Sequence, residues 1–155
     1  MPAADARLGL SAAVAKSLGA YYTDALVADF LVRWAVRRPT DTVLDPSFGG
    51  GVFLHSACER ITSLGGEPQG RVFGAEIDPA TFAGTAESVA EGFGLTPEHL
   101  RHSDFFALDA AAWRQFDAVV GNPPFIRYQR FSGEDRRRAL DCALRAGVRL
   151  SELSS

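Results

Sequence analysis

The most chemically specific stretch of this 155-residue chain is Asn122-Pro123-Pro124-Phe125, which directly follows Phe116-Asp117-Ala118-Val119-Val120-Gly121. A planar exocyclic amine is a poor nucleophile because its lone pair is delocalised into the ring. Two acceptors for its N–H bonds would pull the nitrogen towards tetrahedral geometry and free that lone pair. The Asn122 side-chain oxygen and the Pro123 carbonyl are acceptors of that type. The two prolines fix φ and stiffen the loop, so such acceptors would be preorganised. Phe125 offers a flat face on which a base can stack. No general base need be titrated first, and most of the rate would come from positioning. The same residues also read as a plain turn, since Asn-Pro and Pro-Pro are common loop dipeptides. Their place directly after an apolar strand favours the catalytic reading.

A second set of polar residues has the same placement. Asp45, Glu76 with Asp78, and Asp104 each stand at the end of an expected strand, the third a weak one, as Asn122 does. Any one of the aspartates alone reads more readily as a turn or helix cap; four strand ends in succession reverse that preference. Between Asp45 and Glu76 lies a glycine run, Gly49-Gly50-Gly51. A dinucleotide fingerprint would need its third glycine at Leu54, and Asp45 before the loop would repel a pyrophosphate. A ligand that is cationic at its reactive end removes the objection. S-adenosylmethionine carries a sulfonium and an ammonium group, no phosphate, and a ribose suited to an acidic acceptor such as Glu76. His55, His99 and His102 pair with no Cys or carboxylate at catalytic spacing.

The elements that must position these groups alternate. Thr23 or Asp24 caps a helix with an expected inward face of Leu26, Val27, Phe30, Leu31 and Trp34, stopped by Pro39. Residues 42–44 read as a strand, the glycine run opens a helix to about Ser63, and 71–77 is a second strand. A helix over 79–92, a third strand ending near Asp104 and a fourth over 116–120 follow, with a last helix near 133–148. The expected fold is α/β: a doubly wound, Rossmann-like sheet of parallel strands with flanking helices, its ligand crevice beyond the carboxyl ends of the strands. The domain organisation expected is a helical segment at 1–39, a cofactor and catalytic-loop core at 40–128, and an Arg-rich helix and tail at 129–155.

Composition narrows the function classes. With 46% hydrophobic and 23% charged residues the chain has the makings of a core, which excludes disorder as the default. The formal charge is −3 overall, with residues 1–126 acidic and residues 127–155 carrying seven Arg against four acids. Cys58 and Cys142 stand far apart with no His at ligand spacing, so no metal site is expected and a reducing, cytoplasmic setting fits. No segment approaches the roughly 20 apolar residues of a membrane span.

In five stretches taken in order the chain resembles the N6-adenine DNA methyltransferases of restriction–modification and phage-defence systems. These are Gly19-Ala20-Tyr21-Tyr22-Thr23, Val43 to Gly51 (VLDPSFGGG), Gly74 to Pro79 (GAEIDP), Ser103-Asp104-Phe105-Phe106, and Val119 to Tyr128 (VVGNPPFIRY). The resemblance implies S-adenosylmethionine as cofactor. It places Tyr22, Thr23, Asp45, Pro46, Phe48, Gly49 and Gly51 at the methionine end, with Asn122 adjoining. It implies Glu76 on the ribose, Ile77 and Asp78 beside the adenine, and Asp104 with Phe105 at the adenine amino group. Asn122, Pro123, Pro124 and Phe125 would be catalytic, on an adenine flipped out of double-stranded DNA. Arg127, Tyr128 and Arg130 would meet DNA; the Arg136-Arg137-Arg138 run is interleaved with Glu134, Asp135 and Asp141 and reads more readily as a solvated face. Asp24 stands where the family commonly has Pro.

About thirty residues remain after the fourth strand, so the sheet is expected to be incomplete, with Asn122 on an edge strand and no target-recognition region. A second polypeptide, a second copy or a further C-terminal region is the expected complement. The alternatives are a fragment that binds the cofactor without turnover, or an amino methyltransferase acting on protein glutamine or RNA guanine. A plain nucleotide-binding module is disfavoured by Asp45.

Overall fold

The structure, a computed structural model, describes residues 23–96, 98–108, 115–124 and 133–149. These fall into two compact units, 23–123 in one and 124 with 133–149 in the other.

In the first unit four strands form one parallel sheet: β1 Val43–Asp45, β2 Val72–Glu76, β3 Leu100–His102 and β4 Ala118–Val119, in the order β3-β2-β1-β4. The helices are α1 Ala25–Ala35, α2 Val52–Ser63 and α3 Pro79–Phe93, with a single 3-10 turn at Phe105–Ala107. The α/β class and the parallel sheet with flanking helices expected from the alternation are what the chain adopts.

Register divides the sheet into two faces. Val43 lies level with Val72 on one side and Ala118 on the other, and these join Phe53, Leu54, Ala57, Cys58 and Ile61 of α2 in the core. Helix α2 contacts α1, α3 and the sheet together, which is why six of its residues are buried. Each large side chain buried there contributes roughly 1.5–3 kcal/mol. Burial also pushes the Cys58 thiol up to about 12, leaving it a small inert hydrophobe. Leu44, Phe73 and Val119, level with one another, form the opposite face, where Val119 is 63% exposed. Helices α1, α2 and α3 follow one another on the first face. Among the described residues the β3–β4 connection supplies only the 3-10 turn, so the doubly wound arrangement is seen on one side.

Helix α1 corrects the sequence reading. Leu26, Val27, Phe30, Leu31 and Trp34, expected to face inward, are all exposed, while Ala28 and Val32, with Val36 just beyond the helix, are fully buried. Only Asp29 and Arg33 interrupt the apolar residues of α1, so hydrophobicity selects no face. Ala28 and Val32 are small enough to let α1 approach α2, and steric fit decides. Arg60 of α2 donates to the Val36 carbonyl (3.1 Å), securing the helix end.

In the second unit, helix α4 Gly133–Arg145 carries an exposed Arg137–Glu134 ion pair one turn apart. No helix among the described residues is long and apolar enough to cross a membrane.

Candidate active site

The carboxyl ends of four neighbouring strands converge, and each delivers a polar group. At the end of β1, Asp45 is 2% exposed. Its Oδ1 accepts from the Ser47 amide at 3.2 Å. Burial pushes its carboxyl up to about 7; the Ser47 hydrogen bond opposes this, and the nearby Glu76 charge adds to it. A buried carboxylate poised in this way favours a cationic neighbour.

The glycine loop is built around Glu76, at the end of β2. Glu76 Oε2 accepts from the Gly49 amide and Oε1 from the Asp78 amide, each at 2.9 Å, so one carboxylate braces two turns. The Phe48 amide donates to the Ala75 carbonyl and the Gly51 amide to the Phe48 carbonyl. From α3, the Thr85 hydroxyl donates to the Gly49 carbonyl at 2.7 Å. Gly51 sits at φ +80° directly before α2, a left-handed conformation that favours glycine. Phe48 is 3% exposed and its ring lies under Gly74, where a Cβ would meet it at 2.6 Å. Any share of Phe48 in ligand contact therefore falls to its backbone.

Beyond β2, Ile77 is 62% exposed and presents an apolar surface beside the Glu76 carboxylate. Asp78 caps α3, its Oδ2 accepting from the Thr81 amide, and that hydrogen bond holds its carboxyl below the usual range. Beyond β3, Asp104 Oδ1 accepts from the Phe106 amide and caps the 3-10 turn, with Phe105 and Phe106 half-exposed beside it. Asp78 and Asp104 are thus caps, as aspartates after strands commonly are.

The fourth end belongs to β4. Val120 donates to the Leu44 carbonyl at 2.9 Å, fixing the loop that follows against β1. Gly121 packs against Asp45 so closely that a Cβ there would stand 2.8 Å from Asp45 Oδ1 and 3.4 Å from Pro46 Cδ. Asn122 comes next, exposed, and its Nδ2 donates to the Thr23 hydroxyl at 3.3 Å. The residues brought together are therefore Thr23, Asp45, Pro46, Gly49, Gly51, Glu76 and Asn122, joined along the loops by Pro123, Ile77 and Asp78. Asp104 and Phe105 stand one strand further out, beyond β3. Tyr22, Phe125, Arg127, Tyr128 and Arg130 lie outside the described residues. No group of His, Cys, Asp and Glu among the described residues is placed to hold a metal ion. The sequence reading missed Thr85, the brace of the glycine loop; nothing short of the fold marks a lone Thr within a helix for that part.

The N-6 DNA methylase family model matches residues 9–146. The chain belongs to this family. It is 32% identical to the type II methyltransferase M.PaeR7I of Pseudomonas aeruginosa, over 70% of this chain and 23% of that protein. With the type II methyltransferase M.HincII of Haemophilus influenzae it shares 23% identity, over 81% of this chain and 20% of that protein. Among solved structures it resembles a modification subunit assigned to a type I restriction enzyme of Vibrio vulnificus, at TM-score 0.61 and 18% identity over 88% of this chain and 29% of that one. It also resembles the M protein of the type I restriction enzyme EcoKI, at TM-score 0.54 and 20% identity over 68% and 25%. These two likenesses concern the fold. The chain spans about a fifth of the length of the type II methylases it matches.

Proposed function

We propose that this chain carries the cofactor site and catalytic loop for transfer of a methyl group from S-adenosylmethionine to the N6 amino group of adenine in double-stranded DNA. We propose further that it acts as the N-terminal catalytic part of a larger or split enzyme, with the remaining sheet and the recognition of sequence supplied by a further region, a second polypeptide or a second copy. Membership of the N-6 DNA methylase family supports the reaction class. The observation that carries the reading is the close approach of Gly121 to Asp45, which sets Asn122 beside the buried carboxylate at the central strand.

The donor set fits the cofactor. Asp45, buried and titrating about 7, gains from a neighbouring cation and would face the sulfonium and ammonium end, with Thr23 and the Gly49–Gly51 loop. Glu76 has lone pairs beyond the two amides it serves and would take the ribose hydroxyls. Ile77 would cover the adenine ring, and Asp104 with Phe105 would meet its amino edge. When bound, S-adenosylmethionine supplies an electrophilic methyl group and is left as a thioether.

The chain's own part is positioning. Asn122 Oδ1 and the Pro123 carbonyl would hold the two N–H bonds of the target amine and turn its lone pair away from the ring. Phe125 would stack on the base, taken out of the duplex because N6 is beyond reach inside the stack. Arg127, Tyr128 and Arg130 would meet the DNA backbone. The setting is cytoplasmic, where the DNA substrate and cofactor are.

Calorimetric titration of the chain with S-adenosylmethionine, together with transfer of labelled methyl to adenine-containing duplex by the enzyme completed with its remaining part, tests the reading. Binding in wild type, kept in Asn122→Ala while transfer is lost, is the expected pattern. Absence of binding at millimolar cofactor refutes the cofactor site, and transfer retained by Asn122→Ala refutes the loop's role.

A further inference from the structure

We propose that Thr23 is a positioning residue for Asn122, an inference that rests on the catalytic reading of the Asn122 loop. The two residues stand 99 positions apart and meet through one hydrogen bond, Asn122 Nδ2 to Thr23 Oγ1 at 3.3 Å. The rest of the loop is already fixed. Gly121 is seated on Asp45, Val120 is paired to β1, and Pro123 restricts the backbone that follows. What stays free is the Asn122 side chain, whose terminal amide turns with two roughly equivalent orientations. One presents Oδ1 outward and the other presents NH2.

For an amine that must surrender its lone pair, the choice decides the chemistry. Outward Oδ1 accepts an amine hydrogen; outward NH2 sets donors against donors. With its NH2 held by Thr23, Asn122 keeps Oδ1 for the incoming group, and among the described residues Oδ1 has no protein partner. Thr23 can serve as a fixed point because it directly precedes Asp24, the cap of α1, and α1 is locked to α2 through Ala28 and Val32. In this role Thr23 acts through Asn122, apart from the contact with the methionine end of the cofactor proposed above.

Asn122 is the single asparagine of the sequence, which makes the bond directly observable. Selective 15N-asparagine labelling gives one side-chain amide, and its proton shifts and exchange with water report whether NH2 is held. The expected result is a slowly exchanging, well-split pair in wild type and Thr23→Ser, and a fast-exchanging pair with the shifts of a free amide in Thr23→Val. Single-turnover methyl transfer at saturating S-adenosylmethionine is then expected to fall about tenfold in Thr23→Val and to return in Thr23→Ser, the scale of a lost orientation of one catalytic acceptor. A free amide in wild type, or an unchanged one in Thr23→Val, overturns the proposal. So does a loss in Thr23→Val that disappears at saturating cofactor, which would make Thr23 a cofactor contact alone. An enzyme completed with its remaining part that shows the bond and transfers no methyl group overturns the methyltransferase reading instead, and with it the catalytic meaning of the bond.

Discussion

Replacing Gly51 by alanine tests the glycine loop from inside. Two costs can be worked from the structure. Gly51 lies at φ +80°, where an L residue with a Cβ is disfavoured by about 1 kcal/mol. The new methyl would also stand 2.5 Å from Thr85 Cγ2, closer than carbons in non-bonded contact come. Thr85 is 7% exposed and its hydroxyl holds the Gly49 carbonyl at 2.7 Å, so it cannot withdraw without loosening that bond. Overpacking and a strained hydrogen bond together cost about 1–2 kcal/mol. Gly51→Ala is therefore expected to lose about 2–3 kcal/mol in urea denaturation, a large part of an ordinary domain's stability of roughly 5–15 kcal/mol. Serine at position 85 supplies the control, since it lacks the clashing Cγ2 and keeps the hydroxyl. Alone, Thr85→Ser should cost about 1 kcal/mol for the lost buried methyl. In the Gly51→Ala background it should cost nothing or restore stability, a coupling of at least about 1 kcal/mol between the two sites. If Thr85→Ser costs the same in both backgrounds, the contact is not what makes Gly51 necessary and the reasoning fails.

Asp45 should make stability and binding depend on pH. Because its folded value is raised to about 7, the folded chain holds a proton that the unfolded chain releases near 4. Stability is therefore expected to fall as pH rises through that window and to level off above about 7, by on the order of 4 kcal/mol. Asp45→Asn should flatten this slope, and a slope unchanged in that variant would assign it to another group. Affinity for a cationic cofactor should rise over the same window, with proton release visible as a buffer-dependent binding enthalpy; a flat affinity would deny Asp45 the cation. Ile77→Ser should leave the unfolding midpoint in place, since Ile77 is exposed, yet weaken S-adenosylmethionine about tenfold through lost apolar contact. Unchanged affinity in calorimetry would remove Ile77 from the site.

The reading of the sequence succeeded where local chemistry and position agree. The expected strands ending at or near Asp45, Glu76, Asp104 and Asn122 became four parallel strands, and the glycine run became the entry to α2, because around Asp45, Glu76 and Asn122 turn, strand and helix signals point one way. It failed where the answer is a choice between faces or a contact between distant segments. Helix α1 is apolar nearly all round, so the small Ala28 and the branched Val32 beat the larger Leu26, Phe30 and Trp34 for the core on steric grounds that periodicity does not contain. Glu76 looked like a ligand acceptor and proved first to be the brace of its own loop, with Gly49 and Asp78 as donors. The Thr23–Asn122 and Thr85–Gly49 bonds join segments that only the folded sheet brings together.

Strand β4 is two residues long and joins the sheet through β1. Asp117 helps tie it there, accepting from the Thr42 amide and hydroxyl at 2.9 Å each. Short edge segments open more often than the body of a sheet; among the described residues Asn122 follows an edge strand, whereas Asp45 and Glu76 sit on the strands with partners on both sides. A ligand that engages both sets of groups binds the closed edge and not the open one. Its binding energy therefore adds directly to the protection of Val119 and Val120 against hydrogen exchange. A cofactor held as proposed would also be a clasp: it would close the margin of the sheet that carries Asn122, and readiness for catalysis would become a property of the loaded chain.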